Sequence, residues 1–149
     1  MDTRTTDSDE HPYGRDLQPS DHRLIAEAAA LLVGAHDPGA HRVAAAAEGT
    51  SGAVYLGLSL LSPRVSICAE TTAISNARMA GERGVRRMVA VGLDPSGAGV
   101  VINPCGVCRE IVPVFGDDLQ VIVDLGGSVG LARPSELLPM PWVRARSYD

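Results

Sequence analysis

The stretch Cys68-Ala69-Glu70-Thr71-Thr72-Ala73-Ile74-Ser75-Asn76-Ala77-Arg78-Met79-Ala80-Gly81 reads as a helix that begins on a cysteine and shows only small residues along one face. Ala69, Ala73, Ala77 and Ala80 fall on one stripe at helical spacing, with Gly81 or Gly84 as the stop. The only other cysteines lie in Pro104-Cys105-Gly106-Val107-Cys108, which opens a second short helix running to about Phe115. All three thiols therefore cluster at predicted helix starts. Three thiolates leave one vertex of a tetrahedral Zn²⁺ free for water, whereas a structural zinc site wants four protein ligands. No histidine lies inside or close beside either cluster to supply the fourth. Glu70, two residues past the first ligand, is placed to shuttle protons between such a water and a substrate.

Outward from these helices, Ser20 or Asp21 is expected to cap an earlier helix, with Leu24, Ala28, Leu31 and Leu32 on one face and an end near Gly34. Asp37-Pro38-Gly39 breaks the chain. His41 to Ala47 and Ala53 to Ser59 read as an antiparallel strand pair joined through Glu48-Gly49-Thr50-Ser51-Gly52. Arg87 to Leu93 is a buried-type strand, Asp94 to Gly99 a loop, Leu119 to Leu125 and Ser128 to Leu131 further strands, and Pro134 to Leu138 a helical turn. Strands alternating with helices after an opening hairpin predict a three-layer α/β/α sandwich on a mixed sheet. Met1 to about Pro19 is polar and lacks apolar periodicity, so it is expected to be a flexible leader before one domain spanning 20–149.

Composition narrows the function. Aromatic residues make up 3% of the chain and apolar residues 45%, so the interior must be packed by Ala, Val, Leu and Ile, which suits close helix-to-sheet contact. A net charge of −5 argues against a nucleic-acid surface, and the arginine groups Arg83/Arg86/Arg87 and Arg144/Arg146 read as solvated charge. No apolar run reaches the roughly 20 residues that a membrane span requires, and the N-terminus lacks a signal peptide's layout. The expectation is a cytoplasmic protein, in a reducing compartment that keeps thiolates available for metal. A dithiol switch at Cys105 and Cys108 is the competing use of a Cys-x-x-Cys pair.

Three thiolates against one divalent cation leave a net negative site, so positive partial charge must come from its surroundings. Helix N-termini offer free N–H groups, and Arg109, next to Cys108, is the candidate to donate a hydrogen bond to a ligand thiolate.

Cys68-Ala69-Glu70, Pro104-Cys105-Gly106-Val107-Cys108-Arg109 and the late Glu136-Leu137-Leu138-Pro139 together resemble the cytidine deaminases of the small homotetrameric, three-cysteine zinc type. The match runs from about His41 to Trp142. The short separation of Gly57 from Cys68 is similar to the blasticidin S-deaminating branch of that family. The resemblance implies a five-stranded sheet, hydrolysis that releases ammonia with bound zinc, and a homotetramer whose neighbouring subunits help line each pocket. It makes Cys68, Cys105 and Cys108 the zinc ligands and Glu70 the acid/base. Backbone groups near Ala69 and Pro104 would contact the ring or the departing amine. Ser59 and Leu61 stand where cytidine deaminases carry an Asn and a Glu that hold the ribose and base edge. A leucine accepts no hydroxyl hydrogen bond, so ordinary cytidine recognition is not expected. His41 occupies the position of an aromatic residue beside the pyrimidine; it either meets the ring or is a strand-end histidine satisfied by solvent. Thr71 stands where an arginine is common, which shifts charge compensation toward Arg109 and the helix ends. Trp142 either closes a pocket of this or a neighbouring subunit, or anchors an interface. The implied function is removal of the exocyclic amine of a small pyrimidine-like nucleoside, base or related heterocycle. Its competitors are a polynucleotide-acting deaminase and a non-catalytic, zinc-stabilised nucleoside-binding module.

Overall fold

The computed structural model describes residues 15–116 and 118–147. One mixed sheet forms the middle layer, from β1 (Ala44–Gly49), β2 (Val54–Leu58), β5 (Val85–Leu93), β6 (Gly99–Ile102), β7 (Gln120–Asp124) and β8 (Val129–Ala132). Its strands run β2-β1-β5-β7-β8, a five-strand path, and β6 pairs with β5 beside it. The β5–β7 pair is parallel and the other pairs antiparallel, which makes the sheet mixed. A small separate hairpin joins β3 (Leu60–Leu61) to β4 (Ser66–Ile67).

Period-2 alternation along β1 divides the core. Ala44 and Ala46 face α1 (Pro19–Ala35) with Leu24, Ala28, Leu32, Val89, Val91 and Ile122. Ala45 and Ala47 face the opposite layer with Ala69, Ala73 and Ala77 of α2 (Ala69–Met79) and with Met88 and Val121. On that second face also lie α3 (Gly106–Ile111), a 3₁₀ turn (Val112–Phe115) and α4 (Pro134–Leu137). Alanine on both α2 and β1 lets helix and sheet backbones approach closely. Gly57 on β2 shows how closely, since a Cβ there would lie 2.4 Å from the Ala73 nitrogen and 2.6 Å from the Ala69 oxygen.

The end of α2 is fixed by hydrogen bonds from Gly81 N–H to the Arg78 carbonyl and from Glu82 N–H to the Ala77 carbonyl, with Gly81 at φ +93°. That double closure is the Schellman arrangement, and it places Glu82 under the β1–β2 turn. The Glu82 carboxylate accepts from the hydroxyls of Thr50 (3.1 Å), Ser51 and Tyr55 (3.1 Å) and from the Ser51 N–H. These donors, the Ser51 hydroxyl first, hold Glu82 below the usual glutamate range against the effect of its burial. A carboxyl depressed in the folded state stabilises the fold above its unfolded pKa and loses that contribution as pH falls through the folded value. Glu82→Gln is therefore expected to melt lower than the wild type at pH 7. The gap should narrow as pH falls below the ordinary glutamate value of about 4.3 and on through the lower folded value, where the wild-type carboxylate becomes neutral, and acid-range thermal melts compared with melts at pH 7 read it directly.

Two expectations differ from the structure. The cap of α1 is Gln18 rather than Ser20 or Asp21: Asp21 sits in the first turn and accepts the Gln18 N–H at 2.7 Å, while its other oxygen meets the Arg87 Nε at 3.1 Å. Pairing with the guanidinium draws the Asp21 carboxylate inward to complete burial, so it cannot serve as the flanking cap. Of the expected leader, 1–14 lie outside the described residues. Its last part joins the fold, with Arg15 bridging Leu131 on β8 and pairing with Glu136 at 2.9 Å.

Candidate metal and catalytic site

The site forms where the starts of α2 and α3 meet the ends of β2, β3 and β6. Cys68 is the N-cap of α2 and Cys105 the N-cap of α3, both with extended backbone, and Cys108 lies in the first turn of α3. The three Sγ atoms lie within 4.8 Å of one another, and those of Cys68 and Cys105 are 3.4 Å apart. None forms a disulfide. The geometry therefore joins two clusters distant in sequence into one three-sulfur face.

Electrostatics indicate what such a face would hold. Burial pushes the Cys108 thiol far above the ordinary range, and the nearby Glu70 carboxylate pushes it further. Cys68 is raised by burial and then by its contact with Cys105. Burial works against the Cys105 thiolate too, yet N–H groups of Cys108 and Val107 and the neighbouring thiols bring it below the ordinary value. Three sulfurs beside a carboxylate cannot all carry charge without a cation among them, and a divalent ion supplies that compensation. The donor set, its separation and its position at two helix starts fit a three-coordinate protein site for zinc.

Glu70 lies in the first turn of α2, nearly buried, against Cys108. Burial raises its pKa, opposed by its own N–H and by the Cys108 thiol. It borders a cavity of about 190 Å³ together with Cys68, Ala69 and Cys105. Val43, Leu61 and Ile102 supply apolar wall, and Arg42, Ser59, Ser66 and Asn103 supply polar atoms. The Ser59 hydroxyl is nearly buried and accepts from the N–H groups of Arg42 and Val43, each at 3.0 Å. Asn76 secures α2 to the sheet by donating to the Leu56 carbonyl at 2.7 Å. That bond holds the helix that carries Cys68 and Glu70.

Ser59, Leu61 and Ala69 are thus brought to the cavity with the thiols and Glu70. The other expected residues are placed differently. His41 stands beside the cavity wall rather than in it, with its Nδ1 2.8 Å from the Ser59 carbonyl. The Pro104 carbonyl accepts the Arg109 Nε–H at 2.9 Å. Arg109 itself differs from expectation, since its guanidinium reaches the carbonyls of Pro104 and Leu137 (3.1 Å) rather than a thiolate. On the first turns of α3 the side chain points back along the helix toward α4, so it braces the ligand segment through the backbone. Trp142 is 74% exposed and borders a separate groove of about 520 Å³ with Glu110, Pro113 and Pro134, so it does not close the cavity of its own chain. Asn103 did not stand out in the sequence, where its only signal was an amide immediately before the Pro104-Cys105 segment.

No protein-family model matches the chain. A blasticidin-S deaminase from Bacillus cereus is 27% identical over 135 residues, covering 86% of this chain and 96% of that protein. A crystal structure of cytidine deaminase from Burkholderia pseudomallei superposes with a TM-score of 0.65 at 29% identity, covering 81% of this chain and 98% of that one. Cytidine deaminase from Bacillus anthracis shares the fold with a TM-score of 0.67 at 22% identity, covering 82% and 89%. A mixed α/β/α sandwich with three thiols and a buried glutamate gathered at two helix starts defines an enzyme that hydrolyses C–N bonds. In sequence and fold the chain is similar to blasticidin-S and cytidine deaminases, and that likeness supports a deaminase.

Proposed function

We propose that this protein is a zinc-dependent hydrolytic deaminase that replaces the exocyclic amine of a small pyrimidine-like nucleoside, base or related heterocycle with oxygen and releases ammonia. The observation that carries the proposal is a nearly buried Glu70 against Cys108, on the wall of a cavity that Cys68 and Cys105 also border. Cys68, Cys105 and Cys108 would hold the metal. Zinc in such a site supplies, when bound, Lewis-acid activation of water near neutral pH.

The chain's own groups do the rest. Glu70 takes a proton from the attacking water, gives it to the ring nitrogen, and assists the amine's departure as ammonia, so one water is consumed for each C–N bond broken. Its burial suits it to holding a proton between those transfers. Ala69 orients the ring, and the apolar wall of Val43, Leu61 and Ile102 excludes water around it. With both acceptor sites of the Ser59 hydroxyl taken by N–H groups and Leu61 offering none, these two positions give ribose hydroxyls no side-chain acceptor. This supports a substrate other than plain cytidine, a heterocycle with a different substituent. We also propose a homotetramer, in which Trp142, exposed on its own chain, packs against a neighbouring copy. Among the described residues no helix is long and apolar enough to cross a membrane.

Ammonia release over cytidine, deoxycytidine, cytosine, blasticidin S and other aminated heterocycles tests the substrate class, with elemental analysis of the same preparation for zinc. The expected result is zinc-dependent ammonia release with cytidine below the best substrate. Cytidine as the best substrate would overturn the roles given to Ser59 and Leu61, and absence of zinc would overturn the mechanism.

A further inference from the structure

One edge of β5 is shared by two strands. β1 holds the opposite edge from Val85 to Val91. On the shared edge β7 pairs only with Arg87 and Met88, and β6 takes over from Ala90 to Leu93. The sheet therefore forks between β6 and β7, and the backbone of Asp124 at the end of β7 lies beyond the β5–β7 pairing. Asn103 fills that gap. Its Nδ2 donates to the Asp124 carbonyl at 2.9 Å, and its Oδ1 accepts the Asp124 N–H at 2.8 Å. A side-chain amide has the donor and acceptor of a peptide group, so this reciprocal pair extends the sheet's hydrogen bonding across the fork.

The next two residues are Pro104 and Cys105. Pro104 is buried and restricts the residue before it to extended backbone, so Asn103 passes its position on to the ligand with little slack. From the other side, Arg109 grips the Pro104 carbonyl and ties it to Leu137. Cys68, in contrast, is carried by a different element, α2, which docks on β1 and β2. The distance between the Cys68 and Cys105 sulfurs is thus the difference between two independently anchored positions.

We propose that Asn103 is a positioning residue for the metal site, fixing Cys105 against Cys68 by clamping the ligand segment to β7. The proposal rests on the reading of the three thiols as metal ligands. Asn103 and Asp124 are both exposed, so water competes for their hydrogen bonds and the clamp adds little to global stability. Its consequence is geometric, as for other partners that orient metal ligands, whose loss weakens metal binding by about 10- to 100-fold.

The test uses the full chain loaded with zinc, with release followed by a chromogenic chelator, and the same proteins loaded with Co²⁺ for the absorption spectrum of its thiolate site. Asn103→Ala is expected to release zinc about tenfold faster or more and to shift the cobalt spectrum, while the metal-free protein melts as the wild type does. Asn103→Asp keeps the acceptor for the Asp124 N–H but loses the donor, and it should change release in the same direction; it carries the test if the alanine variant folds poorly. Asp94→Ala is the control. It removes a comparable clamp at the other end of β6, where the Asp94 carboxylate accepts the N–H groups of Ser96 and Ala98. Release from both Asn103 variants at the wild-type rate, or equally accelerated in Asp94→Ala, would overturn the proposal. A wild-type protein that binds no metal would instead overturn the metal reading, and this proposal with it.

Discussion

Glu70→Gln is expected to keep the fold and the bound metal and to lower turnover by about 100- to 10,000-fold, the range attributed to a positioned general acid/base. Glutamine preserves the shape of the side chain, so its packing in the first turn of α2 is undisturbed. What it removes is the ability to accept a proton from water and return it to the substrate. Glu70 is also nearly buried against Cys108 and not one of the three sulfur donors. Metal content should therefore match the wild type. Ammonia release under single-turnover and steady-state conditions, paired with zinc analysis, separates the two effects. Turnover close to wild type would remove Glu70 from the mechanism, and loss of zinc would mean that it supports the metal rather than the proton transfers.

Gly57→Ala should have the largest effect on the fold. The added methyl carbon would meet only backbone: the Ala73 nitrogen at 2.4 Å, the Ala69 oxygen at 2.6 Å and the Thr72 carbonyl carbon at 2.9 Å. No side chain can turn away to make room, so α2 must lift off β2. Overpacking of this kind costs about 1–3 kcal/mol where the surroundings give, and contact with backbone places the expected loss at or above the upper end. Because α2 carries Cys68 and Glu70 while Cys105 and Cys108 ride on α3, lifting one helix also spreads the sulfurs. The variant should melt several degrees lower and hold less zinc after dialysis. A melting temperature and a zinc content equal to wild type would show that the helix–sheet contact is looser than these distances imply.

Both predictions concern residues that stood out in the chain itself, though for different reasons. Glu70 and the three cysteines were legible because metal chemistry restricts the residue types and keeps them in tight local clusters. The alternation along β1 and the alanine stripe of α2 were legible because burial acts with the period of the element. Other features depend on contacts distant in sequence. β6 was absent from the sequence reading, because four residues become a strand only when an edge of β5 is open to receive them. Asp21 looked like a helix cap until Arg87 drew it into the interior. Arg109 directly follows Cys108 in the chain, but its hydrogen bonds are decided by where α4 presents the Leu137 carbonyl. Trp142 had two readings open, and its own chain leaves it exposed on a groove away from the cavity.

The sequence by itself determined the layered α/β class and singled out the three thiols and Glu70 as candidates, because thiolate chemistry and hydrophobic periodicity are written in near neighbours. Only the tertiary structure decided how the two cysteine clusters meet, which side chains wall the cavity, and that Asn103 bridges the fork between β6 and β7. The physical reason is that hydrogen bonds and packing between remote segments depend on distances in space, which are set once the sheet has assembled and the helices have docked.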